Sequence, residues 1–293
     1  MARRLSPSRY AWITRAALVS LVVIVITGAA VRLTGSGLGC SDWPRCNEER
    51  FIDVSSFHGA VEQLNRLFTG LVTVLVMAAV LAARFLEVRR HDLERLAWLL
   101  VVGVVGQIVL GGIVVLTDLN PVANQGHFLL SMFLVSTGLI LVKRAGGQSA
   151  RTELPHTVVR LVRSVAVLAG VAITTGTVVT GAGPHAGDEK APRLDVAITA
   201  VARVHGISVM VTLLAILVLL WRVRGSAYTG LHAAVEVVLV IGTLQATVGY
   251  VQYFNDIPAA LVAVHVALAT FFFLAIVNLW YSVVPSSDHT TSA

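Results

Sequence analysis

The sequence predicts an all-α integral membrane protein, with eight transmembrane helices arranged as two parallel-repeat four-helix bundles. Three observations carry that reading. Hydrophobic residues make up 56% of the 293, charged residues only 13%, and the mean hydropathy is +0.81, whereas water-soluble domains average about 25% charged residues. Stretches such as 16–30, 67–83 and 96–116 are nearly free of charge and reach or approach the ~20 residues that cross hydrocarbon as a helix. Polar residues inside these stretches also recur at a nearly constant offset between the two halves of the chain.

The eight spans fall at about 12–31, 62–84, 94–116, 125–143, 160–181, 201–222, 231–252 and 259–281. Arg3, Arg4, Arg9 and Arg15 precede the apolar stretch of the first, which ends in the small residues Thr27-Gly28-Ala29-Ala30, a pattern shared with cleaved signal sequences. Its second copy in the C-terminal half argues for a retained span. Basic residues orient the chain. The N-terminus and the loops near 84–95, 143–163 and 222–230 hold 15 of the 22 Lys and Arg, while the alternate loops carry most of the Asp and Glu. Both termini are expected in the cytoplasm of a bacterial-type plasma membrane, crossed in multiple passes. The net charge of +6 is then a topology signal, and no nucleic-acid partner is called for. Only two cysteines, Cys40 and Cys46, are present, which excludes thiolate clusters and zinc ribbons.

Val25-Ile26-Thr27-Gly28-Ala29, near the end of span 1, resembles Val178-Val179-Thr180-Gly181-Ala182 near the end of span 5. Asn65 precedes His205 by 140 residues, Gln107 precedes Gln245 by 138, and His127 precedes His265 by the same 138. With four spans per copy, the halves share one orientation and are related by an axis along the membrane normal. The division falls at 1–150 and 151–293.

Position sorts the nine histidines. His91, His156 and His289 fall in cytoplasmic segments and His185 in an outer loop, all read as solvated; His232 reads as interfacial, and His58 lies on the outer side next to span 2. His127, His205 and His265 each begin an even-numbered span, hence at similar depth below the outer surface. Ionisable groups there are costly and mark function. Zinc would require three or four ligands at one point, whereas these residues fall two per half: His205 with His265, and Asn65 with His127. Facing imidazoles suit the two axial positions of a heme iron, and Gly206, Ala263, Ala267 and Ala269 leave room for a flat macrocycle. One bis-histidine heme is expected in the C-terminal half.

The N-terminal half breaks the symmetry. It reads Glu62-Gln63-Leu64-Asn65-Arg66 where the second copy reads Ala202-Arg203-Val204-His205-Gly206. Asn is a poor iron ligand, so a heme held there by His127 alone has an open or weakly occupied position suited to chemistry. Glu62 shares a helix face with Asn65 and Arg66. It is either a functional carboxylate, as proton acceptor or cation stabiliser, or a partner of Arg66 at a water-exposed helix end. Cys40 and Cys46 lie in the first outer loop, in a compartment that favours disulfides; such a bond is either a staple or a redox device.

Thr34-Gly35-Ser36-Gly37, Cys40, Trp43-Pro44 and Cys46, followed by Glu62-x-x-Asn65-Arg66, resemble the heme A synthase family, and the likeness extends over nearly the whole chain. The resemblance implies an oxidoreductase of heme biosynthesis that converts heme O to heme A by oxidising the porphyrin C8 methyl to a formyl group through successive hydroxylations. It maps a heme b cofactor onto His205 and His265 and the heme O substrate onto His127 near Asn65 and Arg66. Glu62 becomes the catalytic carboxylate, and Cys40 and Cys46 a disulfide important for activity. It also implies a heme O synthase as partner and an electron donor that the sequence does not name. The family pattern is Glu-x-x-His-Arg, and Asn65 departs from it. The alternative from the residues alone is a di-heme cytochrome b-type electron carrier, which explains neither Glu62 nor the cysteines.

Overall fold

The computed structural model describes residues 4–147, 154–225 and 228–283. Among them are eight long helices: α1 (Pro7–Leu33), α2 (Phe57–Arg84), α3 (His91–Leu116), α4 (Pro121–Ala145), α5 (His156–Ala182), α6 (Ile198–Arg222), α7 (Thr229–Phe254) and α8 (Ala259–Tyr281). All eight are long and apolar enough to cross a membrane. Several begin earlier than hydropathy alone predicts, α1 at Pro7 and α2 at Phe57, because capping chemistry extends a helix past its apolar stretch. The Ser56 hydroxyl accepts the Gly59 N–H, and Asn120 Oδ1 accepts the N–H groups of Val122 and Ala123 ahead of α4. Pro7 and Pro121 occupy first-turn positions where no N–H is needed.

Helices α1 to α4 pack in a ring, each against the next and α4 back against α1; α5 to α8 do the same. Diagonal partners, α2 with α4 and α6 with α8, make no backbone contact among the described residues, which leaves an interior between them. Each ring has its own core. Tyr10, Leu21, Val76, Leu100 and Leu141 anchor the first, and Val162, Ile216, Leu219, Val235 and Leu279 the second. The rings meet along α4 against α8, flanked by α1 against α8 and α4 against α5, so the contacts map onto themselves when one ring is exchanged for the other.

The loops 34–56, 117–120, 183–197 and 255–258 gather on one end, here called the cysteine face. The turns at 117–120 and 255–258 have the same shape. Asp118 and Leu119 take positive φ of 53° and 63°, Asp256 and Ile257 58° and 55°, and Leu119 N–H bonds Val114 O as Ile257 N–H bonds Gln252 O, both at 2.8 Å. Every one of these positions is offset by 138, the spacing that links His127 to His265. Between the rings, Gly37 N–H donates to Gly187 O at 2.9 Å, and Val114, Leu119, Ala186 and Ala191 form a small buried cluster.

Candidate functional site

In the second ring, His205 on α6 and His265 on α8 face each other, ring centres 6.4 Å apart and planes 81° apart. His205 Nδ1 lies 3.0 Å from the Ala172 carbonyl and 3.2 Å from the Thr175 hydroxyl. A carbonyl only accepts, so Nδ1 carries the proton and Nε2 keeps its lone pair. Thr175 in turn meets Ser208 Oγ at 3.0 Å, fixing the ring from behind as a ligand histidine requires. His265 Nδ1 is buried without a partner. Two imidazoles bound to opposite sides of one metal at about 2 Å per bond have centres roughly 6 Å apart, so the pair fits two axial positions of one iron.

Glycines make this arrangement possible. A Cβ at Gly249 on α7 would stand 2.9 Å from His265 Cε1, and one at Gly176 on α5 3.1 Å from His205 Cε1. The first ring repeats the device, with Gly111 on α3 lying 3.4 Å, measured from the same built Cβ, from His127 Cε1. Gly111 and Gly249 are again 138 apart. His127 Nδ1 is buried and unpartnered like that of His265, and the repeat-related Gln107 and Gln245 each bury an unpartnered Oε1. Gln107 Nε2 donates to His127 O at 2.9 Å and to Ser131 Oγ at 2.6 Å, securing α4 at the histidine. Asn65 does not copy His205: its Oδ1 accepts the Thr27 hydroxyl at 2.8 Å, tying α2 to α1.

Glu62, Arg66 and the cysteine loop form one unit. Glu62 is 5% exposed; its Oε1 accepts from Nε and Nη2 of Arg66, and its Oε2 accepts the Cys40 N–H at 2.7 Å. Arg66 Nη1 reaches on to the carbonyls of Asp42 and Arg45 at 3.1 and 3.0 Å. The pairing with Arg66 expected from spacing is therefore present, but at a buried position that clasps the loop rather than at a wet helix end. Cys40 and Cys46 are buried with sulfurs 2.03 Å apart. Trp43, joined to Pro44 by a cis peptide, lies on α3 where a Cβ at Gly112 would come within 2.8 Å of its indole. The loop thus rests beside Gly111, the residue that supports His127.

The remaining histidines sort as follows. His91 and His156 are exposed at helix starts, and His232 faces Glu236 at 3.5 Å in the first turn of α7. His58 lies in the first turn of α2 with Nδ1 2.9 Å from the buried Ser36 hydroxyl. His185 corrects its solvated reading: it is half-buried, and Nε2 donates to Ile257 O at 2.7 Å, joining two loops of the cysteine face. His289 falls outside the described residues. The glycine cradles were the signal the sequence reading missed, although Gly111 and Gly249 share the offset already seen for the glutamines and histidines.

Known proteins resemble this chain. A family model described as cytochrome oxidase assembly protein, COX15-CtaA, matches residues 10–56, which span nearly all of α1 and the whole of the cysteine loop. Proteins named heme A synthase are 33% identical over 124 residues in Geobacillus thermodenitrificans, covering 41% of this chain and 38% of the relative. The counterpart in Geobacillus kaustophilus is 32% identical over 123 residues, with the same coverage of both chains. In Exiguobacterium sibiricum the identity is 26% over 168 residues, 56% of this chain and 57% of the relative. The chain thus matches about two-fifths to three-fifths of the length of these relatives. Family model and relatives point the same way: what this chain resembles, over the matched stretches, are proteins named heme A synthase.

Proposed function

We propose that the chain is a heme A synthase, an oxidoreductase that converts the C8 methyl group of heme O to a formyl group and so supplies heme A to terminal oxidases. The observation that carries this reading is the inequality of its two histidine sites. One has facing imidazoles, as an electron-transfer heme requires. The other has His127 and, at the position matching His205, an Asn65 engaged with Thr27, beneath a loop clasped by Glu62 and Arg66. A carrier built only to pass electrons has no use for that difference.

In this reading His205 and His265 hold heme b, and the first ring receives heme O through His127. Heme b supplies one-electron transfer when bound. Asn65 spends Oδ1 on Thr27 and keeps an amide NH2 that donates rather than coordinates, leaving one side of the substrate iron free of a protein ligand. Glu62 is the carboxylate that accepts a proton or steadies positive charge as the methyl group is oxidised; Arg66 and the Cys40 N–H set its position. Cys40 and Cys46, as a disulfide, hold the loop that carries Trp43 over Gly112 and restrict water at the site. Both termini lie in the cytoplasm and the heme sites near the outer face, as the basic loops opposite the cysteine face suggest. Heme O arrives from a heme O synthase; each of two hydroxylations takes one oxygen atom from an oxidant of the dioxygen class, the electron donor reduces the other to water, and the twice-hydroxylated carbon loses water to give the formyl group.

The test is extraction and chromatography of hemes from cells expressing this chain with a heme O synthase, beside Glu62→Ala and His205→Ala variants. Heme A with the parent chain, lost in Glu62→Ala while heme b remains, is the expected result. Bound heme b with no heme A while heme O is abundant would instead identify a membrane electron carrier.

A further inference from the structure

Arg32 lies in the last turn of α1 and Arg193 in the α5–α6 loop, so the two guanidinium groups come from opposite halves of the chain. Both are brought to the end of α5, where Arg32 bonds Thr180 and Leu194, the residue after Arg193, bonds Gly181. Arg32 donates from Nη2 to the Thr180 carbonyl at 2.7 Å. Its Nε is buried with no partner, as is Nη1 of Arg193. Among the described residues no carboxylate pairs with either. Desolvating an unpaired cation is costly, and a second beside it adds repulsion. Yet the surroundings hold the pair in place, because Leu194 N–H bonds Gly181 O at 3.0 Å and pins the loop that bears Arg193 to α5.

Two guanidinium groups with spare, buried N–H donors and no acceptor form a receptor for an oxyanion. Their position identifies which one. Thr180 stands four residues beyond Gly176, about 6 Å along α5, and Gly176 is the residue against which the His205 imidazole rests. A tetrapyrrole carries its two carboxylates on a single edge, and the arginines lie one helical turn from the level of the iron ligand, toward the cysteine face.

We propose that Arg32 and Arg193 together bind a propionate carboxylate of the tetrapyrrole held in the second ring, so that heme binding also ties the two rings together. This rests on the reading of His205 and His265 as heme ligands. Ferric protoporphyrin IX and its dimethyl ester are titrated, by Soret absorbance, into the full-length chain purified from heme-depleted cells. Parent, Arg32→Gln and Arg193→Gln chains are compared in nanodiscs of neutral lipid and of anionic lipid. The parent binds the free acid at least tenfold more tightly than the ester in both lipids. Each variant loses that preference while its affinity for the ester is unchanged, a discrimination that a merely structural role would not move. Equal affinities in the parent, or a preference retained in the variants, would overturn the proposal. Loss of the preference only in anionic lipid would overturn it too, assigning the arginines to a lipid phosphate. Binding of neither compound by the parent would overturn the heme reading itself.

Discussion

At the scale of single residues, the site is made by what is left out as much as by what is present. Glycine inside a helix costs about 1 kcal/mol relative to alanine, and three such glycines face the three membrane histidines. The clearances differ, and the difference is testable. A methyl group at Gly249 would meet His265 at 2.9 Å, too close without movement, whereas one at Gly111 would stand 3.4 Å from His127, at the edge of ordinary contact. With His265 as the heme ligand proposed above, Gly249→Ala is therefore expected to lower heme b content several-fold and to remove the low-spin signal in electron paramagnetic resonance. Gly111→Ala should leave the amount of heme O bound by the first ring at the parent's level. A loss of heme O in Gly111→Ala as large as the loss of heme b in Gly249→Ala would show that the clearance does not govern binding. Asn65 belongs to the same scale: its departure from histidine was visible in the sequence, but its bond to Thr27 was not, because the two residues meet only through the packing of α2 on α1.

At the scale of elements, the loop 34–56 is the least symmetric part of the molecule. Gly35 takes φ of +68° to turn the chain out of α1, and Gly39 lies so close to the backbone of His58 that no side chain fits. Beyond the cysteines, the loop is held by Asp53, which accepts from Ser55 N–H at 2.9 Å and Asn47 Nδ2 at 2.8 Å. The Ser55 hydroxyl and N–H hold the Asp53 carboxyl below the usual carboxylate range. A depressed native value means that the stabilisation is complete above the unfolded value, about 4, and is lost as pH falls through the native one. Hydrogen exchange across residues 47–55, corrected for intrinsic rates, is expected to quicken below about pH 4. Asp53→Asn should abolish that acid step. An unchanged step in the variant would place the titrating group elsewhere.

At the scale of the whole molecule, two rings are joined by a narrow seam. Near the cysteine face it depends on Gly187, whose φ is +106° and whose carbonyl accepts the Gly37 N–H. A Cβ there would stand 3.0 Å from Leu119. Gly187→Val is expected to destabilise the chain by about 1–3 kcal/mol through backbone strain and to lower its melting temperature in detergent. A melting temperature equal to the parent's would mean that this part of the seam is free to rearrange. The matching turns at 118–119 and 256–257 support the repeat read from the sequence, and the exchange symmetry of the helix contacts supports it independently.

The eight spans, the recurrence at 138 residues and the identity of the polar side chains placed in lipid were all legible in the residues alone. Each of these is set locally: hydrocarbon admits only apolar helical segments, and every exception stands out against them. The clasp of Glu62 and Arg66 on the cysteine loop, the space that glycines open for the imidazoles, and the gathering of Arg32 and Arg193 at the end of α5 emerged only from the packed fold. Helices in lipid associate through close packing of small residues and a few hydrogen bonds, with little hydrophobic drive to favour one face over another. Which faces meet is therefore fixed by the shapes of both partners together, and that information is absent from either segment alone.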